Sequence, residues 1–207
     1  EWLTEDKEHS EEGLVLRMQD LGRRYPYVGY GGGFRRWLYN QQPKPYNSYG
    51  NGSAMRVSPI AFYAQSLEET LRLATISAKV THNHPEGIKG AKAIVSATYL
   101  ARTGATKTEI KAYVEENFKY NLNLQLDHIR SIVCDAMSCQ KTVPAAIWAF
   151  LEGEDFEDVI RIAVSLGGDS DTIAAMAGSI AQAFYGLPLK LATYCYALLT
   201  PNLRTIL

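Results

Sequence analysis

Signals for the start and end of helices follow one another along most of this sequence, and they constrain its fold more than any other feature. Ser66 precedes a stretch with helical apolar spacing, Pro85 has the preference for a first helical position, and Thr106 or Thr108 stands before a further helical stretch. No segment shows the sustained alternation of β-branched residues that indicates a strand. The sequence therefore predicts an all-α fold.

The predicted helices share apolar residues at intervals of three and four. A first helix is capped by Ser10 and ends before Pro26. The later predicted helices cover residues 59–64, 67–79, 85–102, 108–117, 127–136, 144–151, 156–166, 171–185 and 188–199. No internal repeat and no low-complexity linker divides the chain, so residues 1–207 are expected to form a single domain.

Composition excludes several classes of protein. The 207 residues include 21 Lys and Arg against 22 Asp and Glu, and the net charge of -1 argues against a broad nucleic-acid-binding surface. No apolar stretch approaches the roughly 18 residues of a membrane span, and the acidic beginning does not resemble a signal peptide. The three cysteines, Cys134, Cys139 and Cys195, are expected to be reduced thiols in a cytoplasmic protein. Cys134 and Cys139 have a poor spacing for zinc and are expected to be buried core thiols rather than metal ligands.

The region between Tyr25 and Gly52 interrupts the helical pattern with many Gly, Pro and Asn residues. Only residues 34–39 are long enough for one or two helical turns. Because long loops in compact domains are often functional, this region is a candidate wall of a binding site.

The most distinctive local pattern is Gly-Gly-Asp-Ser-Asp-Thr at residues 167–172, at the start of a predicted helix. Glycines permit a tight turn, and oxygen atoms from Asp169, Asp171 and Thr172 suit a hard cation such as Mg²⁺ or Mn²⁺. The simpler alternative is that one of the aspartates caps the helix.

Two further segments carry candidate binding residues. Small residues around Asn51 would allow backbone N–H groups to approach phosphates, with Ser53 as an added donor, although an ordinary Asn-Gly turn is the simpler alternative. In Thr-His-Asn-His-Pro at residues 81–85, Asn83 or His84 suits a helix cap, and a histidine ring could instead contact a phosphate or a base.

Together, residues 46–57, 81–85 and 167–175 resemble, in order and separation, the motifs of the ADP-ribosylglycohydrolase family, which includes dinitrogenase-reductase-activating glycohydrolase. The resemblance extends over essentially the whole chain. It implies an orthogonal bundle of α-helices with a two-metal site for Mg²⁺ or Mn²⁺, and removal of ADP-ribose from a modified protein side chain or a related small molecule. It also implies that Asp169, Asp171 and Thr172 hold metal. The residues that it implies along the ADP-ribose cleft are Asn51, Gly52, Ser53, Met55 and His82.

Two features of the family pattern are not found in these residues. The Gly-Asp segment with a catalytic acidic residue and the Thr-Asp-Asp triplet have no counterpart here, so no catalytic residue is assigned. Glu1, Trp2 and Leu3 resemble the end of an apolar helix, and the chain is expected to lack an N-terminal family segment. The expected function is therefore a weak or inactive hydrolase. The alternatives are an ADP-ribose-binding module without catalysis and a purely structural helical protein.

Overall fold

The computed structural model describes residues 1–205, and the regular elements within that range are all helices. This confirms the all-α prediction. In chain order they are α1 (Trp2–Glu5), α2 (Glu11–Arg24), α3 (Gly32–Leu38), α4 (Gly52–Met55), α5 (Ser58–Tyr63), α6 (Leu67–Lys79), α7 (Pro85–Arg102), α8 (Lys107–Phe118), α9 (Leu126–Val133), α10 (Cys139–Glu152), α11 (Phe156–Ser165), α12 (Ser170–Tyr185), α13 (Leu189–Leu198) and α14 (Pro201–Arg204). None of these helices is both long and apolar enough to cross a membrane.

Helix α7 is the centre of the bundle and contacts α4, α5, α6, α8, α10 and α12. Successive turns of α7 present small side chains to the neighbouring helices, because Gly87, Gly90, Ala91 and Ala97 are buried along it. Small residues let helix axes approach closely, and this explains how one helix contacts so many others.

Helix α12 forms a second centre and packs against α7, α10, α11 and α4. Its alanines and Gly178 allow the close packing that the sequence indicated. Ile173, Met176 and Ile180 are fully buried and supply most of its apolar volume. The N-terminal end of α12 is therefore held firmly beside α4.

Three predicted caps are confirmed by hydrogen bonds. Ser10 Oγ accepts from Gly13 N at 3.0 Å, and Ser66 Oγ accepts from Glu69 N at 3.1 Å. Thr106, rather than Thr108, forms a capping box at the start of α8. Each cap satisfies an N–H group that has no partner inside its own helix.

The predicted start of a helix at Pro144 was wrong. Helix α10 begins at Cys139, and Pro144 lies inside it. The preference of proline for the first turn is outweighed here because Cys139 and Val143 are fully buried against Gly90 of α7. Burial thus stabilises an earlier turn that the sequence pattern did not indicate.

The expectation that Cys134 and Cys139 are both buried is confirmed for Cys139 and wrong for Cys134. Cys139 is buried, but Cys134 and Cys195 are exposed. Cys134 directly follows α9 at the surface, and Cys195 belongs to α13, which has no buried residue. The apolar sequence of α13 gave no indication that its side chains would remain exposed.

Trp2 finds its contacts among the residues that follow it. Its Nε1 donates to Ser10 O at 3.1 Å, and its ring meets the edge of His9 with centroids 5.5 Å apart. His9 in turn contacts Tyr63 of α5 at 5.3 Å. These contacts attach α1 to the bundle.

Gly90→Ala tests the close approach of α7 and α10. A Cβ at position 90 would lie 2.5 Å from Cys139 Sγ and 2.6 Å from Cys139 Cβ, which cannot move without its backbone. We expect the free energy of unfolding to fall by roughly 1–3 kcal/mol, measured by urea denaturation.

Gly178→Ala is the matched control within α12. Its Cβ would meet only the flexible end of Ile160, at 2.8 Å from Cδ1, and alanine gains about 1 kcal/mol of helix propensity. We expect a change within about 0.5 kcal/mol. Equal losses in the two variants would contradict the packing explanation for Gly90.

Candidate functional site

The two most distinctive sequence segments meet in the structure through one hydrogen bond. Asn51 Nδ2 donates to Asp169 Oδ2 at 2.6 Å, although the two residues are 118 positions apart in the sequence. Asn51 precedes α4 and is 7% exposed, while Asp169 stands at the N-cap of α12. The loop around Asn51, which is predicted to bind ADP-ribose, is therefore a neighbour of residues 167–172, which are predicted to hold metal and are called the metal loop below.

The Asn51 loop is held by the segment before α10. Asn51 N donates to Met137 O at 2.8 Å, and Cys139 N donates to Tyr49 O at 2.9 Å. The thiol of Cys139 donates to Gly50 O at 3.2 Å. These bonds fix the backbone and leave the Asn51 side chain directed toward Asp169.

Gly52 and Ser53 occupy different positions relative to the cleft. A Cβ on Gly52 would lie 3.1 Å from His82 Nε2, so the absence of a side chain permits the close approach of the imidazole. Ser53 is fully buried, and its hydroxyl donates to Gly87 O at 2.8 Å. Ser53 thus braces α4 against α7, and its contact with ADP-ribose stays a prediction.

His82 is joined to Arg56 through Thr81. Arg56 Nη2 donates to Thr81 Oγ1 at 2.8 Å and to Ser77 O at 2.6 Å, and Nη1 donates to Gly52 O at 3.1 Å. Thr81 Oγ1 lies 2.7 Å from His82 Nδ1. Burial, and then the nearby charge of Arg56, lower the pKa of His82 to about 3.

The guanidinium of Arg56 is also perturbed. Burial lowers the pKa of Arg56 to about 10, which still leaves it charged at neutral pH. Arg56 was missed in the sequence, as was Tyr46, whose ring lies 5.9 Å from that of His82. The one signal for Arg56 is its position four residues after Gly52, which places it one helical turn from the Gly52 carbonyl.

The metal loop does not use its aspartates as ordinary caps. Asp169 occupies the N-cap position of α12, but its side chain makes no capping bond and accepts from Asn51 instead. Asp171 is exposed, and its Oδ1 accepts from the N–H of Thr172 at 2.8 Å. Thr172 is buried and its hydroxyl donates to Met55 Sδ at 3.7 Å.

The ligand atoms that this loop offers are of the chemical type that binds hard divalent cations. Asp169, Asp171 and Thr172 offer only oxygen, which is the ligand type of Mg²⁺ and Mn²⁺. Within residues 1–205, no group of three or more His, Cys, Asp or Glu side chains is arranged to hold a metal. The loop itself provides two carboxylates and a hydroxyl as oxygen atoms.

Comparison with known proteins identifies the family. The sequence model of ADP-ribosylglycohydrolase matches residues 1–194. The chain belongs to this family. A solved structure, an ADP-ribosylglycohydrolase-related protein complex, has a TM-score of 0.63 and 30% identity and covers 86% of this chain and 68% of its own. The fold predicted from the resemblance is confirmed.

Two curated relatives carry more specific names. ADP-ribosylarginine hydrolase Tri1 of Pseudomonas putida (strain GB-1) is 29% identical over 73% of this chain and 42% of its own length. ADP-ribosylhydrolase ARH3 of Mus musculus is 27% identical over 86% of this chain and 64% of its own length. The chain thus spans less than two thirds of either relative.

Gly168→Ala is expected to distort the metal loop. Gly168 has φ of +62°, and a Cβ there would clash with the backbone carbonyl oxygen of Val133. We expect the free energy of unfolding to fall by about 3 kcal/mol or more in urea denaturation. Gly167→Ala is the control, because its φ of +79° costs about 1–2 kcal/mol but its Cβ meets open space. A larger loss for Gly167→Ala would contradict the clash.

Acid is expected to destabilise the chain through His82. The unfolded imidazole binds a proton near pH 6.5, whereas the folded one does so near 3, so the unfolded state binds more protons between these values. Stability therefore falls with decreasing pH below 6.5, by up to about 1.4 kcal/mol per pH unit from this group.

Urea unfolding at pH 7, 6 and 5 measures this slope. His82→Gln should make the dependence of unfolding free energy on pH shallower, by up to about 1.4 kcal/mol per pH unit, because glutamine does not titrate. His128→Gln replaces an exposed histidine of α9 and serves as the control. Identical slopes in the native chain and His82→Gln would show that His82 is not held neutral in the fold.

Proposed function

We propose that this chain forms the ADP-ribose-binding cleft and one side of the metal site of a hydrolase that removes ADP-ribose from a protein side chain or a related small molecule. The observation that carries the proposal is the 2.6 Å bond between Asn51 and Asp169. It joins the loop proposed to bind substrate to the loop proposed to hold metal, so both would act on the same ligand.

The residues proposed to hold the cation are Asp169, Asp171 and Thr172. Mg²⁺ or Mn²⁺, when bound, would orient a ribose diol and a water and would stabilise negative charge near the bond that breaks. Asn51 supports this arrangement because its amide N–H groups fix Asp169 Oδ2. The second oxygen of Asp169 has no hydrogen bond from the described residues and stays available to a cation.

The residues proposed to bind ADP-ribose lie at both ends of α4 and beside it. Met55 is 47% exposed and next to Thr172, so it offers an apolar contact beside the metal loop. Gly52 lets the backbone approach His82 closely, and His82 is neutral at physiological pH. A neutral ring forms hydrogen bonds to a ligand without taking up a proton, which suits binding and orientation.

Catalysis by these residues alone is expected to be slow. Affinity for a hard cation rises with the number of charged oxygen ligands, and this loop contributes two carboxylates. Among residues 1–205, the acidic side chain in contact with Asn51 is that of Asp169, which is one of the proposed metal ligands. The proposed activity is therefore weak in this chain, and its proposed location is the cytoplasm, in keeping with its free thiols.

Release of ADP-ribose from ADP-ribosyl-arginine tests the proposal. We expect slow, metal-dependent release by the 207-residue chain with Mg²⁺ or Mn²⁺. Asp169→Asn and Asp171→Asn should abolish it, because each removes a charged oxygen while keeping the side-chain shape. Asp127→Asn, an exposed change on α9, is the control. Turnover above about 1 s⁻¹ would contradict the expected weakness.

The second candidate function is a non-catalytic ADP-ribose-binding module, and the same purified protein can be used to test it. The loop around Asn51 is held by protein contacts alone, so ADP-ribose could bind without a cation. Micromolar affinity in calorimetry with EDTA, together with no release of ADP-ribose under any metal condition, would favour a binding module. If neither ADP-ribose nor cation raises the melting temperature, the hydrolase proposal and the binding-module alternative both fail.

A further inference from the structure

The hydroxyl of Thr81 lies between a guanidinium and an imidazole. Arg56 Nη2 is 2.8 Å from Thr81 Oγ1, and His82 Nδ1 is 2.7 Å from the same oxygen. A guanidinium has donors and no acceptor, so the oxygen of Thr81 accepts the bond from Arg56. The hydroxyl hydrogen of Thr81 must then find another acceptor.

The imidazole of His82 is the acceptor within reach. Thr81 is fully buried, so water does not reach its hydroxyl, and Thr81 Oγ1 has no other hydrogen-bonding partner among residues 1–205. If His82 Nδ1 carried a proton and donated it, the buried hydroxyl hydrogen would have no acceptor, which is costly. Thr81 therefore donates to Nδ1, and the neutral ring carries its proton on Nε2.

A doubly protonated ring would also break this arrangement. Of the titratable groups described near His82, Arg56 is positive and joined through Thr81, and Tyr46 lies with its ring 5.9 Å away. Burial and the charge of Arg56 keep the pKa of His82 low, and burial raises the pKa of Tyr46. The charge of Arg56 therefore disfavours a second proton on His82 near neutral pH.

The Nε2 atom faces the loop that carries the proposed substrate contacts. A Cβ on Gly52 would lie 3.1 Å from Nε2, and one on Gly50 would lie 3.6 Å from it. In the described part of the chain, Nε2 has no hydrogen-bonding partner, whereas Nδ1 is bonded to Thr81. An N–H group without a partner beside a glycine loop is available to a ligand oxygen.

We propose that Arg56 and Thr81 are positioning residues that hold His82 as the Nε2–H tautomer, so that it offers one N–H donor to an oxygen acceptor of bound ADP-ribose. The identity of the ligand rests on the proposed function, whereas the tautomer is a property of the free chain. Arg56 acts through the Thr81 hydroxyl, and its bond to Gly52 O places the loop and the ring together.

Nitrogen-15 NMR of the free chain at pH 7 tests the tautomer directly. We expect the His82 signals, assigned by their loss in His82→Gln, to show a protonated Nε2 and a bare Nδ1. Thr81→Val keeps the side-chain shape but removes the hydroxyl, and should shift the ring toward a mixture of tautomers. Thr81→Ser should restore the native signals. A native ring protonated at Nδ1 would overturn the proposal, as would an unchanged ring in Thr81→Val.

Calorimetry with ADP-ribose measures the consequence for binding. We expect Thr81→Val to weaken affinity about tenfold, the scale of one hydrogen bond, and Thr81→Ser to remain near the native value. Thr75→Val is the matched control, because the Thr75 hydroxyl bonds only to Leu71 O within α6. Equal weakening in Thr75→Val and Thr81→Val would overturn the positioning role.

The two measurements separate failure of this inference from failure of the proposed function. If the native chain does not bind ADP-ribose at all, the proposed function fails, and the NMR signals of the free chain still decide the tautomer. If Thr81→Val does not fold, the tautomer in the native chain and the behaviour of Thr81→Ser remain decisive.

Discussion

The hydrogen bond between Asn51 and Asp169 depends on close packing of α4, α7 and α12. Both α4 and α12 contact α7, and they also contact each other. The small side chains of α7 and α12 permit these short separations, and Ser53 adds a bond from α4 to Gly87 O at the start of α7. A larger residue at these contacts would push the helices apart and strain the bond between the two loops.

The two halves of the site are built differently. On the Asn51 side, backbone and side-chain bonds to Met137, Cys139 and Arg56 fix the loop within the protein. On the Asp169 side, two glycines with positive φ and one bond to Asn51 hold the carboxylates at the surface. The first half holds its backbone rigidly, and in the second half one oxygen of Asp169 has no hydrogen bond from the described residues, as the proposed cation site requires.

Burial gives His82 properties that an exposed histidine would lack. Burial and the nearby Arg56 keep the His82 ring neutral at pH values well below the ordinary pKa of histidine. The folded chain is therefore less stable in acid. Buried polar groups are stable when each donor has an acceptor. Both Nη atoms of Arg56 and the Thr81 hydroxyl meet this condition, whereas Arg56 Nε is buried without a hydrogen-bonding partner among the described residues. The Nε2 atom of His82 is directed to the loop of Gly50 and Gly52, where we propose that a ligand oxygen accepts its hydrogen bond.

The sequence by itself determined the helical class, the caps at Ser10 and Ser66, and the segments that identify the family. These depend on local bonds and spacing, which are readable within a few residues. Only the tertiary structure decided that α10 begins before Pro144, that Cys195 stays exposed, that Ser53 is turned inward, and that Arg56 reaches Thr81. Those outcomes depend on which distant surfaces meet, because burial and hydrogen bonding between elements outweigh local preference when they conflict.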